Sequence, residues 1–319
     1  MTFKKGTALC YGMAVCDVLI PGLPRDAFSE ETTRIPRFYY STGGDAMNEA
    51  VALVKLGHRA KLYSLVGADL FGDYVLKSGR DAGVDMLGVA RDSDLPTTVS
   101  LVCIHPDGER SFIVNQGADN AICETCFDMD ALKAADVMSV GSAFCAQSLT
   151  GSIAGLLKAA KDAGVTTCVD VMRGPDPDAK SAARKFLPYT DFVFPNYDEG
   201  CWLTDETELD RIGASLLSMG AGHAVVKTGR DGCHVFAQNG EHTHVLGFQI
   251  DDVKDTTGAG DHFAAGFIAA LMEGKSPVEC ARFANAVAAC SIRYVGTTGL
   301  AGREEVEALL QSDYVAGKE

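Results

Sequence analysis

The sequence predicts an α/β fold: a central, mostly parallel sheet flanked by helices. Three observations lead there. Short apolar runs alternate with helix-length amphipathic stretches along most of the 319 residues, the rhythm of β–α–β units. Glycine-rich turns stand where apolar runs give way to helix starts, as in Gly43-Gly44 and Gly258-Ala259-Gly260. Finally, two segments, 18–42 and 96–116, break the rhythm with strand-like pieces and no helix, which predicts a small β lobe on the α/β body.

The first strand is expected over Leu9–Val15, with Asp17 at its end. Lys4 and Lys5 ahead of the stretch Ala8–Val15 mimic a signal peptide, but Asp17 follows at once without a small-residue cleavage pattern, so the stretch reads as a buried strand. Residues 18–42 carry Pro21, Pro24 and Pro36, then Phe38-Tyr39-Tyr40-Ser41. Gly43-Gly44 leads into a helix over Ala46–Leu56, and Ala60–Val66 is the next strand. Thr98–Ile104 and Arg110–Asn115 read as a hairpin about Pro106-Asp107-Gly108. Strands Val137–Val140, Thr167–Val171, Phe192–Phe194 and Ala224–Thr228 follow, interleaved with helices Leu149–Ala163 and Leu209–Met219. Two helices, Phe263–Met272 and Val278–Tyr294, come near the end. The expectation is one continuous domain over 1–319, with the lobe at about 18–42 and 96–116 as a candidate lid.

A formal charge of −15 argues against nucleic acid and anionic membranes as partners. It leaves nucleotides open, because helix ends and a metal ion bind phosphate locally. No apolar run reaches transmembrane length. Eleven scattered cysteines, mostly within apolar runs, fit a reducing cytoplasm better than a disulfide scaffold. Cys123-Glu124-Thr125-Cys126 is a C-x-x-C with no second pair, and His242-Thr243-His244 puts two imidazoles on one strand face. Metal sites there are minority readings.

The chemistry concentrates in Asp255-Thr256-Thr257-Gly258-Ala259-Gly260-Asp261. A helix start presents unpaired N–H groups and the positive end of its dipole, so Gly258, Ala259 and Gly260 offer an anion site. Asp261, just inside it, can act as a base beside a bound anion. The dipole predicts that this carboxylate needs no raised pKa. Gly43-Gly44-Asp45-Ala46-Met47-Asn48 lets a ligand approach backbone N–H groups, and Asn48 adds a donor and an acceptor. Asp17 suits vicinal hydroxyls, although alone it reads as a turn residue. Asn196 and Glu199 have capping-box spacing, a sufficient structural explanation that leaves a Mg²⁺ and phosphate role open. Lys227-Thr228-Gly229-Arg230-Asp231-Gly232 is a glycine-bounded turn suited to phosphate or ribose, or simply to a hairpin. Gly258-Ala259-Gly260 does not continue as a dinucleotide fingerprint. Gly274-Lys275-Ser276 lacks the first glycine of a P-loop and reads as a helix stop before Pro277.

Together these motifs resemble the ribokinase-like carbohydrate kinases, also called the pfkB family, over nearly the whole chain. One signature runs from Gly43-Gly44 through Asn48 and Ala50 to Gly57 and Gly67; the other is Asp255–Asp261 with Ala265-Gly266-Phe267-Ile268. The resemblance implies a ribokinase-like fold with a β lid over the sugar, and ATP with Mg²⁺ as phosphoryl donor. It matches Asp261 to the catalytic base and Gly258, Ala259 and Gly260 to the anion hole. Asp17, Gly43, Gly44 and Asn48 match sugar-contacting positions. Asn196 and Glu199 match the N-x-x-E motif tied to Mg²⁺ and phosphate, Glu199 through water. Thr228, Gly229 and Gly232 match the nucleotide loop, and Asn285 an adenine-pocket position. Asp255 and Thr257 match positions that hold a monovalent cation, K⁺, in some members. Arg110, in Asp107-Gly108-Glu109-Arg110-Ser111-Phe112, resembles a fructokinase-like lid strand, and Arg173 lies one position early for a D-x-N-x-R element; both are substrate candidates against the alternative of a lid salt bridge. Asp45 departs from the Lys of many members. The implied acceptor is a ketose, pentose or sugar acid, the alternatives being a nucleoside kinase of the same fold or a non-catalytic sugar sensor. Lids in this family often pair, which implies a homodimer through the lobe.

Overall fold

The computed structural model describes residues 5–29, 31–107, 109–174, 177–296, 299 and 302–312. Lys4 and Gly108, both named above, lie outside the described residues. The strands in chain order are β1 (Thr7–Tyr11), β2 (Val15–Pro21), β3 (Tyr39–Gly43), β4 (Arg59–Gly67), β5 (Asp85–Asp92), β6 (Val99–Ile104), β7 (Arg110–Val114), β8 (Val137–Ala143), β9 (Thr166–Val171), β10 (Phe192–Phe194), β11 (His223–Lys227), β12 (Cys233–Ala237) and β13 (His242–Val245). The helices are α1 (Asp45–Lys55), α2 (Leu70–Asp81), α3 (Gln147–Asp162), α4 (Ala179–Phe186), α5 (Tyr197–Thr204), α6 (Leu209–Ser218), α7 (Ala259–Met272), α8 (Pro277–Ser291) and α9 (Arg303–Gln311).

Among the described residues, nine strands form the central sheet in the order β13-β12-β11-β10-β9-β8-β1-β4-β5. Pairing from β5 to β11 is parallel, and β12 and β13 add an antiparallel edge. The two-residue period of a strand sorts its side chains between two cores. Ala8 and Cys10 of β1 face one core with Val51 of α1, Phe267 of α7 and Val287 of α8. Leu9 and Tyr11 face the other, with Ile153 of α3 and Leu216 of α6. Helix α7 is buried on nearly all sides because it packs between the sheet and α8, which explains its continuous apolar run.

The expected first strand, Leu9–Val15, is in fact two. β1 ends at Tyr11, and Gly12 turns the chain with φ 150°; a Cβ there would meet the Gly141 carbonyl oxygen at 2.5 Å. β2 then leaves for a second sheet, so Asp17 lies inside β2, opposite Ser41 and Ser100, and not at the end of a central strand. The apolar run conceals the break because residues on both sides of it are buried. The second sheet has the order β3-β2-β6-β7. It uses the two segments that lacked helices and begins slightly earlier, at Val15. Gly274, with φ 81°, closes α7, but Ser276 opens α8 through a capping box with Glu279, with Pro277 in the first turn. The stop is therefore also a start, and α8 ends at Ser291, short of Tyr294.

Candidate active site

Parallel strands deliver their carboxyl ends to one edge of the sheet. From that edge come Asp170 of β9, Asn196 and Glu199 after β10, and Lys227 of β11. With the start of α7 they line a cavity of ≈ 970 Å³. That volume lies at the upper end of the usual range for ligand sites, roughly 300–1,000 Å³. Gly258 caps α7 in the left-handed conformation, φ 74°, without a side-chain cap. The Ala259 N–H bonds to the Thr256 carbonyl oxygen, while Ala259, Gly260 and Asp261 line the cavity. Gly258 itself shapes the turn and stays outside the lining.

Asp261 also faces the other side. Asn48 of α1 donates from Nδ2 to Asp261 Oδ2 at 2.6 Å. The Asn48 Oδ1 is buried without a partner. Asn48 is placed by Gly44, whose φ of 91° starts α1 while its carbonyl accepts the Asn48 N–H at 2.9 Å. A Cβ on Gly44 would meet the Met13 carbonyl oxygen at 2.5 Å. One residue earlier, a Cβ on Gly43 would run into the Asp17 carboxylate. Asp17, Gly43, Gly44 and Asn48 therefore form a connected group ending at Asp261, beside the cavity.

The cavity wall is acidic. Asp45, Asp170, Glu199 and Asp261 line it, with Lys227 among them. The Lys227 Nζ donates to Asp170 Oδ1 at 2.7 Å and lies 3.3 Å from where a Cβ of Gly260 would sit. Burial works against the ammonium, but Asp170 and Glu199 outweigh it and raise its pKa. Asp261 behaves differently from expectation. Burial, then the charges of Asp45 and Asp170, push it well above the ordinary carboxylate range, and the helix dipole does not cancel this. Burial raises Asp17 to about 7 and Glu199 to about 7. Burial followed by Asp170 raises Asp45. Asp45 thus sits on the wall with Asp170 and Lys227. Four residues further along α1, Glu49 accepts from Ser139 at 2.6 Å, and burial followed by the charge of Asp170 pushes its pKa well above the ordinary carboxylate range.

A pfkB family carbohydrate kinase model matches residues 7–301. The chain belongs to the pfkB family of carbohydrate kinases. It is 32% identical over 277 residues to an ATP-dependent ribose-1-phosphate kinase of Halopiger xanaduensis, covering 86% of each chain. It is 28% identical over 304 residues to probable fructokinase-3 of Arabidopsis thaliana, covering 90% of this chain and 86% of that one. The solved structure of Arabidopsis thaliana ribokinase complexed with ribose and ATP superposes with a TM-score of 0.83 at 27% identity, covering 97% of this chain and all of that one. The fold is accordingly ribokinase-like, with the nine-stranded sheet and the small second sheet.

Within this pfkB kinase most of the expected site residues meet, and some do not. Asn196 and Glu199 make a complete capping box, Asn196 Oδ1 accepting from the Glu199 N–H at 2.8 Å and Glu199 Oε2 from the Asn196 N–H at 2.7 Å. Both also line the cavity, so serving as a helix cap does not take them away from it. Gly229 and Gly232 line the cavity, whereas Thr228 turns its hydroxyl back to the Gly232 carbonyl at 3.0 Å and closes the loop. Asn285 lines the cavity and donates to the Val245 carbonyl at 3.0 Å.

Arg110 pairs through its guanidinium with Asp255, the salt-bridge alternative, while its Nε is buried without a partner. Arg173 is exposed and absent from the cavity lining, because the chain after β9 carries Met172 inward and Arg173 outward. Asp255 does not present a free cation ligand, since Oδ1 accepts from Arg110 and from the Thr257 N–H at 2.8 Å, and Oδ2 from the Gly296 N–H at 2.8 Å. Lys227 and Asp170 were missed as site residues. The available signal was a lysine closing an apolar strand just before Thr228-Gly229, at the edge where ligands bind. Among the described residues no three His, Cys, Asp or Glu side chains are grouped to hold a metal ion, which includes Cys123, Cys126, His242 and His244. No described helix is long and apolar enough to cross a membrane.

Proposed function

We propose that this kinase transfers the γ-phosphoryl group of ATP to a primary hydroxyl of a small sugar (a ketose, pentose or sugar acid), with Asp261 as general base. The observation that carries the reading is the position of Asp261. It borders a nucleotide-sized cavity and is joined through Asn48 to a group of buried polar atoms with bonds to spare. Asp17 is buried with neither a hydrogen bond nor a charge acting on it, and Asn48 Oδ1 is orphaned. Buried polar groups are normally paired, and sugar hydroxyls supply what these lack.

In the reaction Asn48 orients the Asp261 carboxylate, which takes the proton of the attacking hydroxyl. The amide end of α7, with Gly260, faces the charge developing on the phosphoryl oxygens, and Lys227 adds a fixed cation beside it. Asp170 holds that ammonium in place. Glu199 on the cavity wall offers a hard oxygen donor that would hold Mg²⁺ through the waters this ion keeps. Mg²⁺ arriving with the nucleotide would offset phosphate charge. The small sheet acts as the lid that excludes water, and its exposed Tyr39, Tyr40, Phe112 and Ile113 support pairing with a second copy of the chain. ADP release across a panel of sugars, sugar acids and nucleosides with Mg-ATP tests the reading. Turnover on nucleosides alone, or on nothing, would refute it.

A further inference from the structure

The Arg110–Asp255 pair ties β7 of the small sheet to the loop before α7, across 145 residues of chain. It is well sheltered, with side-chain exposures of 19% and 4%. Burial alone would raise the Asp255 pKa, but the Gly296 and Thr257 amides and the Arg110 guanidinium together lower it, so the carboxylate stays ionised. The neighbouring Ile292 carbonyl is engaged as well: it accepts N–H bonds from Lys254 at 2.8 Å and Asp255 at 3.2 Å. An ion such as K⁺ needs free oxygen lone pairs and no positive neighbour. Here both lone pairs of Asp255 Oδ1 and one of Oδ2 are taken by N–H donors, and the neighbour is a guanidinium.

We infer that Arg110 is the built-in cation of Asp255, so that this kinase works without a monovalent metal ion. Arg110 acts as a positioning residue. By holding Asp255 it fixes the segment Asp255–Gly258, and with it the amide end of α7 that faces the phosphoryl group. The small sheet thereby sets the geometry of the anion site directly. A lysine at the position keeps the charge but loses the guanidinium fork. An apolar side chain of similar length removes the charge and frees Asp255 for an ion.

The test compares wild type, Arg110→Met and Arg110→Lys in KCl and in choline chloride at equal ionic strength. Melting temperature is read without substrate, and ADP release is read with whichever sugar the panel accepts. The wild type is expected to show the same melting temperature in both salts and turnover equal within about twofold. Arg110→Met is expected to lose at least about tenfold in kcat in choline and to recover in KCl, with a KCl-specific rise in melting temperature. Arg110→Lys should remain indifferent to the salt. A tenfold KCl activation or a KCl-specific melting shift in the wild type would overturn the inference, and so would an Arg110→Met protein indistinguishable from wild type. The activity arm rests on the proposed kinase reaction. The melting arm does not, so it tests the role of Arg110 even in a chain that phosphorylates no sugar.

Discussion

Replacing Asp17 by Asn should stabilise this protein at alkaline pH while weakening its hold on the sugar. Asp17 lies inside β2, is 8% exposed, and has burial as the sole cause of its perturbation. Its pKa rises from 3.8 to about 7. The folded state therefore binds this proton more tightly than the unfolded chain. The associated stability is complete below pH 3.8 and is lost as pH rises through about 7. At roughly 1.36 kcal/mol per pH unit, an ionised Asp17 costs the folded protein about 4 kcal/mol once the pH is well above 7. Asn, which cannot ionise, escapes that cost. Urea unfolding of both proteins at pH 5 and pH 8.5 should show a gain of about 1.6 kcal/mol for the variant at the lower pH, where the unfolded carboxyl is already ionised, and a gain of about 4 kcal/mol at the higher. Sugar binding should move the opposite way, because hydroxyls bonded to a charged carboxylate contribute about 1.5–3 kcal/mol each. The KM for the sugar should rise about tenfold or more at unchanged KM for ATP. An Asp17→Asn protein no more stable than wild type at pH 8.5 would refute the reasoning, since it would mean that Asp17 is not an unpaired buried charge.

Asp261→Asn should fold normally and lose about 10²–10⁴-fold in kcat; its raised pKa also predicts that wild-type kcat/KM falls on the acid side well above the ordinary carboxylate range, as a pH–rate profile would show. Lys227→Met should cost about 3–5 kcal/mol in urea unfolding because it strands buried Asp170. Adding Asp170→Asn should recover most of that stability but none of the turnover, and a double variant with wild-type kcat would remove Lys227 from the mechanism. Gly43→Ala should push a methyl group into the Asp17 carboxylate and raise the sugar KM with the ATP KM unchanged, measured by initial rates.

The parts of the site legible in the sequence share one property: they are local. Gly43-Gly44 and Gly258–Asp261 each carry, within a few residues, a turn, a helix start and a polar group, and each was found at its place. The strand break at Gly12 was not legible because hydrophobicity reports burial, and both β1 and β2 are buried; nothing in their composition says that they join different sheets. The amphipathic β5 and α2 escaped for a related reason, since each buries only part of its surface and offers no continuous apolar run. Lys227 and Asp170 are 57 residues apart, and Arg110 and Asp255 are 145 apart. A lysine or arginine beside a turn ordinarily reads as surface, and only the fold reveals the carboxylate waiting for it. The same limit explains Asp261. A helix start by itself predicts a lowered pKa, but the fold buries Asp261 and brings Asp45 from α1 and Asp170 from β9 to the same wall, and burial first and these charges second reverse the sign. That crowding of carboxylates opposes a phosphate that relies on the helix dipole alone. Lys227 answers it: the acids that surround this ammonium keep it charged despite its burial, which puts a fixed cation on the wall where the proposed reaction needs one.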